Sequence, residues 1–194
     1  ASGLPNARML RFTPMGDLLV STPRSGRVWI LPRAADGSAR AEAPRVLLED
    51  LDLPHGLDLR GDWLYVGEGA AIARVRFDAV GRRTEGAIER VVTGLPEGGN
   101  HWTRNLRFGP DDKLYVSVGS SCNVCLEEDP RRAAMLRFAA DGSQAEIFAT
   151  GLRNSVGFDW QPGTGALYAT DNGRDLLGDD TPPCELNRVV EDGF

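Results

Sequence analysis

A β-propeller of about four blades is the fold class the sequence predicts, and three observations predict it. First, one pattern occurs four times, starting near Met9, Gly56, Leu106 and Val156: a short apolar strand, a turn rich in Gly, Pro and Asp, then a second apolar strand. Second, the equivalent leucines Leu18, Leu64, Leu114 and Leu167 lie 46, 50 and 53 residues apart, close to the length of one four-stranded blade. Third, 23 glycines and 12 prolines among 194 residues accompany few helical periods, which points to tight turns between many short strands.

Taken in order, the first blade reads as strands at 9–12 and 17–20, a third at 26–31, a polar tip Ala35-Asp36-Gly37-Ser38, and a fourth at 45–48. The second repeats the shape over 56–66 without the proline, with a third strand at 71–77. The third carries the whole pattern: 106–108, the turn Gly109-Pro110-Asp111-Asp112, 113–118, 134–138, the tip Ala140-Asp141-Gly142-Ser143, and 145–149. The fourth opens at 156–160 and returns at 166–169. Asp-Gly and Asp-Asp at the tips are hairpin chemistry, because these residues tolerate the positive φ that tight turns demand. The expected organisation is one partial propeller domain over 1–194, with blades at about 1–50, 51–99, 100–150 and 151–194. The repeated Phe, Leu, Tyr and Val positions are expected to pack between blades.

Composition narrows the function classes. With 41% hydrophobic and 26% charged residues the chain has enough apolar material for a sizeable core. Its formal charge is −6 and its 22 basic residues are scattered, which argues against a nucleic-acid partner. No apolar run reaches the length of a membrane span. The first residues lack the charged-then-apolar layout of a signal peptide, so any export signal is expected to have been removed or never present. Cys122 and Cys125 are spaced for a local disulfide or two reduced thiols; zinc would need further ligands, and only His55 and His101 are available. Cys184 is left over and is expected to be an unpaired thiol unless its partner lies outside this chain.

In a propeller, chemistry sits on the junctions between blades. These are Leu53-Pro54-His55-Gly56, the run from Gly98 to Asn105, and Thr150-Gly151-Leu152-Arg153-Asn154-Ser155. Both histidines fall at corresponding junctions. An imidazole suits proton abstraction near neutral pH, although a histidine that merely satisfies local hydrogen bonds is the plainer alternative. A second cluster, from Thr170 to Asn187, holds five carboxylates in 18 residues with interspersed glycines. That oxygen-rich mixture suits calcium, although the spacing is not that of an EF-hand loop and a merely solvated acidic loop fits equally.

Gly-Asn-His at 99–101, Leu-Arg-Phe-Gly-Pro-Asp-Asp-Lys-Leu-Tyr-Val at 106–116, Gly-Leu-Arg-Asn-Ser-Val-Gly-Phe at 151–158, Thr-Asp-Asn-Gly-Arg-Asp at 170–175 and Glu-Leu-Asn at 185–187 occur in this order along essentially the whole chain. Together they resemble the soluble glucose/sorbosone dehydrogenases, six-bladed quinoproteins that use pyrroloquinoline quinone (PQQ) and calcium (Ca2+), and most of all their sorbosone dehydrogenase-like branch. The resemblance implies that His101 is the general base for the sugar's anomeric hydroxyl, with Asn100 where relatives often have an acidic neighbour. It implies that Arg153 and Asn154 hold the quinone's oxygens, and that the backbone carbonyls of Gly173 and Arg174 hold calcium. Val156 stands where some relatives place a glutamine near the cofactor.

The same resemblance implies oxidation of an aldose or aldehyde sugar, an external electron acceptor, and a periplasmic or secreted location. It also implies two further blades with basic residues for the cofactor's carboxylates, so the chain is expected to be a fragment, partnered by the remainder of the propeller, or a four-bladed reduction. Two other classes stay open: a calcium-dependent lactonase-like hydrolase, which needs Glu, Asn and Asp side chains converging on one metal, and a non-catalytic binding propeller.

Overall fold

The computed structural model describes residues 3–36, 41–181 and 183–193; Gly37 and Ser38 of the first tip and Pro182 of the acidic stretch lie outside these. The protein is all-β with a four-bladed propeller arrangement: each sequence repeat becomes one antiparallel sheet whose neighbours in sequence are neighbours in space. Two compact units divide the chain at Thr93/Gly94, each holding two sheets.

In the first unit one sheet is β1 (Leu10–Phe12), β2 (Leu18–Thr22), β3 (Arg27–Leu31) and β4 (Arg45–Leu48). The other is β5 (Leu57–Arg60), β6 (Trp63–Gly67), β7 (Ile72–Asp78) and β8 (Arg83–Val92). Alternation along the strands sends Leu19, Val28, Ile30 and Leu48 of one sheet and Leu57, Leu64, Val75 and Phe77 of the other into a shared core. Phe12 departs from the expected packing role: the residue is 68% exposed, because the outward face of β1 has no covering neighbour among the described residues of its unit.

Three buried carboxylates fasten this unit. Asp58 meets Arg11 at 2.6 Å, joining β5 to β1. Glu68 takes Arg90 through both oxygens at 2.8 and 3.0 Å and the amide of Asp52 at 3.0 Å. Asp17 accepts the Arg33 amide at 2.7 Å and Arg82 Nε at 3.1 Å, the latter reaching across from the second sheet.

In the second unit one sheet is β9 (Leu106–Phe108), β10 (Leu114–Val118), β11 (Ala134–Phe138) and β12 (Glu146–Thr150). The other has three strands among the described residues: β13 (Ser155–Trp160), β14 (Leu167–Asp171) and β15 (Glu185–Val189). Beyond β15 the chain turns back, and Gly193 bridges to Ala149 of β12 in parallel. Tyr115, Met135 and Phe148 pack on Phe158, Leu167 and Val189, with Trp160 edge-on to Tyr115 at 5.0 Å between ring centroids.

Local chemistry repeats between sheets. The β1–β2 and β9–β10 turns share one pair of backbone bonds, Gly16 N–H to Thr13 O and Asp112 N–H to Gly109 O, closed by Thr13 N–H to Asp17 O and Gly109 N–H to Lys113 O. The third turn residue is left-handed in both, Gly16 at φ 82° and Asp112 at φ 65°, which is why Gly and Asp recur there. Each four-stranded sheet also has a register shift between its third and fourth strands, at Val28/Trp29, Ile72/Ala73 and Met135/Leu136, a bulge that adds twist to the outer strand.

Replacing Asp17 by Ala would orphan the Arg33 amide and the Arg82 guanidinium. Arg82 is one-third exposed and can regain water, so the expected loss is about 2 kcal/mol, below that of a fully buried pair. Urea unfolding measures it, and a loss under about 0.5 kcal/mol, the range of ordinary surface changes, would remove this role from Asp17.

Candidate functional site

The site is built within the second unit, on the loop before β9, the segment after β10, the junction before β13 and the loop after β14. The first of these, residues 94–105, is pinned by arginines that donate to its carbonyls. Buried Arg104 reaches Pro96, Thr103 and His101; Arg131 reaches Gly94, and Arg132 reaches Glu97 and Gly98. Burial, and secondarily Arg132, pushes the Arg104 guanidinium down to about 10, which still leaves it cationic at neutral pH. Gly99 adopts φ +79°, and a Cβ there would lie 2.6 Å from the Ser121 carbonyl oxygen. This close approach lets the Asn100 amide donate to Ser121 O at 2.8 Å and delivers His101 to the end of β10.

His101 Nδ1 lies 3.0 Å from the Ser120 carbonyl oxygen and 2.8 Å from Ser120 Oγ. A carbonyl only accepts, so Nδ1 carries the proton and Nε2 keeps its lone pair. Gly119 runs against the same ring: a Cβ at this position would sit 2.5 Å from His101 Cβ and 3.4 Å from the Arg153 carbonyl oxygen. The Ser120 amide donates to that Arg153 oxygen at 2.8 Å. Residues 119–120 are therefore the seam between the histidine and the arginine junction.

Arg153 spends its guanidinium on loop oxygens. Nε and Nη2 donate to Asn123 O and Oδ1 at 2.9 and 2.7 Å, Nη1 donates to both Asn172 O and Gly173 O at 2.8 Å, and Asp175 lies at 3.4 Å. Asn123 also ties the loop after β14 directly, through Asp175 N–H to Oδ1 at 2.8 Å and its own Nδ2 to Asp175 O at 3.2 Å. The Asn154 amide donates to Asp171 at 2.6 Å, and Asp171 also accepts Ser155 Oγ–H at 3.3 Å. Burial raises the Asp171 carboxyl despite these donors.

The structure thus brings His101, Arg153, Asn154 and Gly173 into one network, while the side chains of Asn100 and Arg174 stay exposed. Ser120 and Asn123 belong to it without any signal in the sequence reading, and Asp171, one of the five carboxylates of the acidic cluster, joins it as an acceptor for Asn154 and Ser155. Cys122 and Cys125 form a disulfide, and Cys184 is free and exposed. Glu127 lies beside the cysteine sulfurs, but their bond to each other leaves no thiolate for zinc. His55 occupies the corresponding position before β5, buried, with its amide donating to Gly67 O and its carbonyl accepting Ser21 Oγ–H.

The fit to the two expected cofactors differs. A histidine with a capped Nδ1 and an open Nε2, in the field of an arginine, has the chemistry required beside a quinone that takes up negative charge. The carbonyl of Gly173, expected for calcium, instead carries the Arg153 guanidinium at 2.8 Å. Like charges about 4 Å apart cost roughly 4 kcal/mol per unit pair in an effective dielectric of about 20, and twice that for a dication. Calcium does not fit this arrangement of Gly173.

Burial first, and the Arg153 charge second, hold the His101 imidazolium below its ordinary 6.5. The unfolded chain therefore takes the proton more readily than the folded one, so neutral His101 persists in the fold below pH 6.5 and its contribution to stability falls as the pH drops further. An NMR titration of the ring should show a midpoint below 6.5 that rises towards 6.5 in Arg153→Met. A midpoint unmoved by that substitution would contradict the electrostatic coupling.

The chain is similar in fold to sugar-oxidising quinoproteins. It superposes on the holo PQQ domain of pyranose dehydrogenase from Coprinopsis cinerea with a TM-score of 0.84 at 21% identity, covering 98% of this chain and 52% of that one. A calcium structure of a carbohydrate-active enzyme of family AA12 from Trichoderma reesei gives 0.80 at 24% identity, with 98% and 53% covered. The chain thus spans about half the length of these structures. An uncharacterised protein of Borreliella burgdorferi is 42% identical over 81 residues, 42% of this chain and 21% of its own length. A family model described as TrAA12-like matches residues 1–187, and the chain belongs to that TrAA12-like family.

Proposed function

We propose that this chain is part of a quinone-dependent oxidoreductase that oxidises an aldose or aldehyde sugar and passes the electrons to an external acceptor. One observation carries the reading: His101, neutral and with Nε2 free of the Ser120 contact, sits in the field of Arg153 on the adjoining junction. Membership of the TrAA12-like family and a fold shared with a PQQ-binding pyranose dehydrogenase domain support it. The sorbosone dehydrogenase-like branch is a narrower form of the same proposal.

In this reading His101 Nε2 accepts the proton of the sugar's anomeric hydroxyl, and the Ser120 carbonyl holds the resulting charge through Nδ1–H. PQQ, when bound, supplies the hydride acceptor. Asn154 and Arg153 would hold its oxygens, Arg153 on releasing one of the loop oxygens of Asn123, Asn172 or Gly173 that its guanidinium takes in this structure, and its charge would oppose the negative charge of the reduced form. Asn100 would stand at the rim beside the base. The depressed imidazolium favours the base form at neutral pH. A disulfide at Cys122–Cys125 accords with the periplasm or an extracellular setting. No helix among the described residues is long and apolar enough to cross a membrane. The remainder of the propeller, as a partner, would supply the further basic residues.

Reconstitution of the full-length protein with PQQ, followed by dye reduction over a panel of aldoses, tests the reading. His101→Ala is expected to retain the quinone's absorbance change and lose at least about a hundredfold in turnover, the usual worth of a general base. Unchanged turnover would remove the base assignment, and lactone hydrolysis without quinone would favour a hydrolase.

Calcium at Gly173 and Arg174 enters this proposal only with Arg153 off the Gly173 carbonyl. Arg153→Met removes the competing cation, so calorimetric calcium affinity is expected to rise about tenfold or more, given the repulsion of like charges at this distance. An unchanged affinity would place calcium away from Gly173.

A further inference from the structure

We propose that Ser120 and Asn123 are positioning residues for His101 and Arg153, and that the Cys122–Cys125 disulfide holds them in place. The inference rests on the proposed quinone site and deepens it. Ser120 Oγ–H donates to the Cys122 carbonyl at 2.8 Å. With its proton spent there, Oγ faces His101 Nδ1 as an acceptor, alongside the Ser120 carbonyl. Two acceptors on one ring nitrogen select the Nδ1–H tautomer and leave Nε2 as the only basic atom.

Three positions on, Asn123 offers its carbonyl and its side-chain oxygen to two nitrogens of Arg153, a fixed planar fork meeting two oxygens of one residue. The disulfide brackets this residue, closing a ring from Cys122 to Cys125. Glu127 secures the same loop by accepting the Ser121 amide at 2.8 Å, and Ser121 O receives the Asn100 amide. One short covalent ring therefore sets the Cys122 carbonyl, which orients the histidine, and the Asn123 oxygens, which aim the arginine. Neither Ser120 nor Asn123 needs to touch a reacting atom to govern the site.

The test uses full-length protein at pH 7.5 without quinone and reads the His101 tautomer from its ring ¹⁵N shifts. Wild type should be the Nδ1–H form. In C122S/C125S the preference for that form should fall about fivefold, the factor one net hydrogen bond is worth, with the protein still cooperatively folded by thermal melt. Ser120→Ala should lower it in the same direction, and Ser120→Thr, which keeps the hydroxyl, should restore it. A wild-type tautomer ratio in folded C122S/C125S overturns the role of the disulfide. If that variant does not fold, equal ratios in Ser120→Ala and Ser120→Thr overturn the role of Ser120. Failure of the enzymatic reading shows elsewhere, as no absorbance change on adding PQQ to wild type, and leaves the tautomer result standing.

Discussion

The Arg153 guanidinium is the point on which the candidate site depends. Its donors span from Asn123 on one side to Asn172 and Gly173 on the other, so a single planar cation holds two loops that the β-sheets alone leave unconnected. Its backbone oxygen, meanwhile, anchors the Ser120 amide and with it the seat of His101. Burial first, and this same cation second, lower the imidazolium, so Arg153 contributes to both the geometry and the electrostatics of the seat. It also excludes a second cation from the Gly173 carbonyl, which makes arginine and calcium competitors in this arrangement rather than neighbours.

The sheets serve that arrangement by ending where the site needs backbone. β10 stops at Val118, and Gly119 passes so close to His101 that no Cβ fits between them. Asp171, the last residue of β14, turns inward to take the Asn154 amide and the Ser155 hydroxyl, fixing the start of β13 beside Arg153. The clustered aromatic side chains of Tyr115, Phe148, Phe158 and Trp160 hold these two sheets together. Packing thus delivers strand ends, and hydrogen bonds from loop carbonyls finish the site.

Much of this was legible in the sequence because turns have strict chemistry. Thr13-Pro14-Met15-Gly16 and Gly109-Pro110-Asp111-Asp112 announce their hairpins through residues that tolerate a left-handed backbone, and the strands between them follow by alternation. His101 and Arg153 stood out as unusual side chains at blade junctions, and they meet in one network. The roles of Ser120 and Asn123 were not legible, since much of what they contribute is backbone carbonyl, which every residue type carries. For the same reason the sequence could suggest Gly173 as a calcium ligand but could not show that Arg153 takes its oxygen. Cysteine spacing alone left disulfide and thiols equally open, and Phe12 looked like a core residue because exposure depends on what covers a strand, not on the strand itself.

In the proposed function His101 and Arg153 face one quinone. A crystal structure of the full-length protein soaked with PQQ tests it most directly. Quinone density is expected between His101 Nε2 and the Arg153 guanidinium, with one of the loop oxygens of Asn123, Asn172 or Gly173 released by Arg153 and His101 Nδ1 still on Ser120. Quinone bound elsewhere, or bound here with His101 turned away from it, would remove both residues from the site.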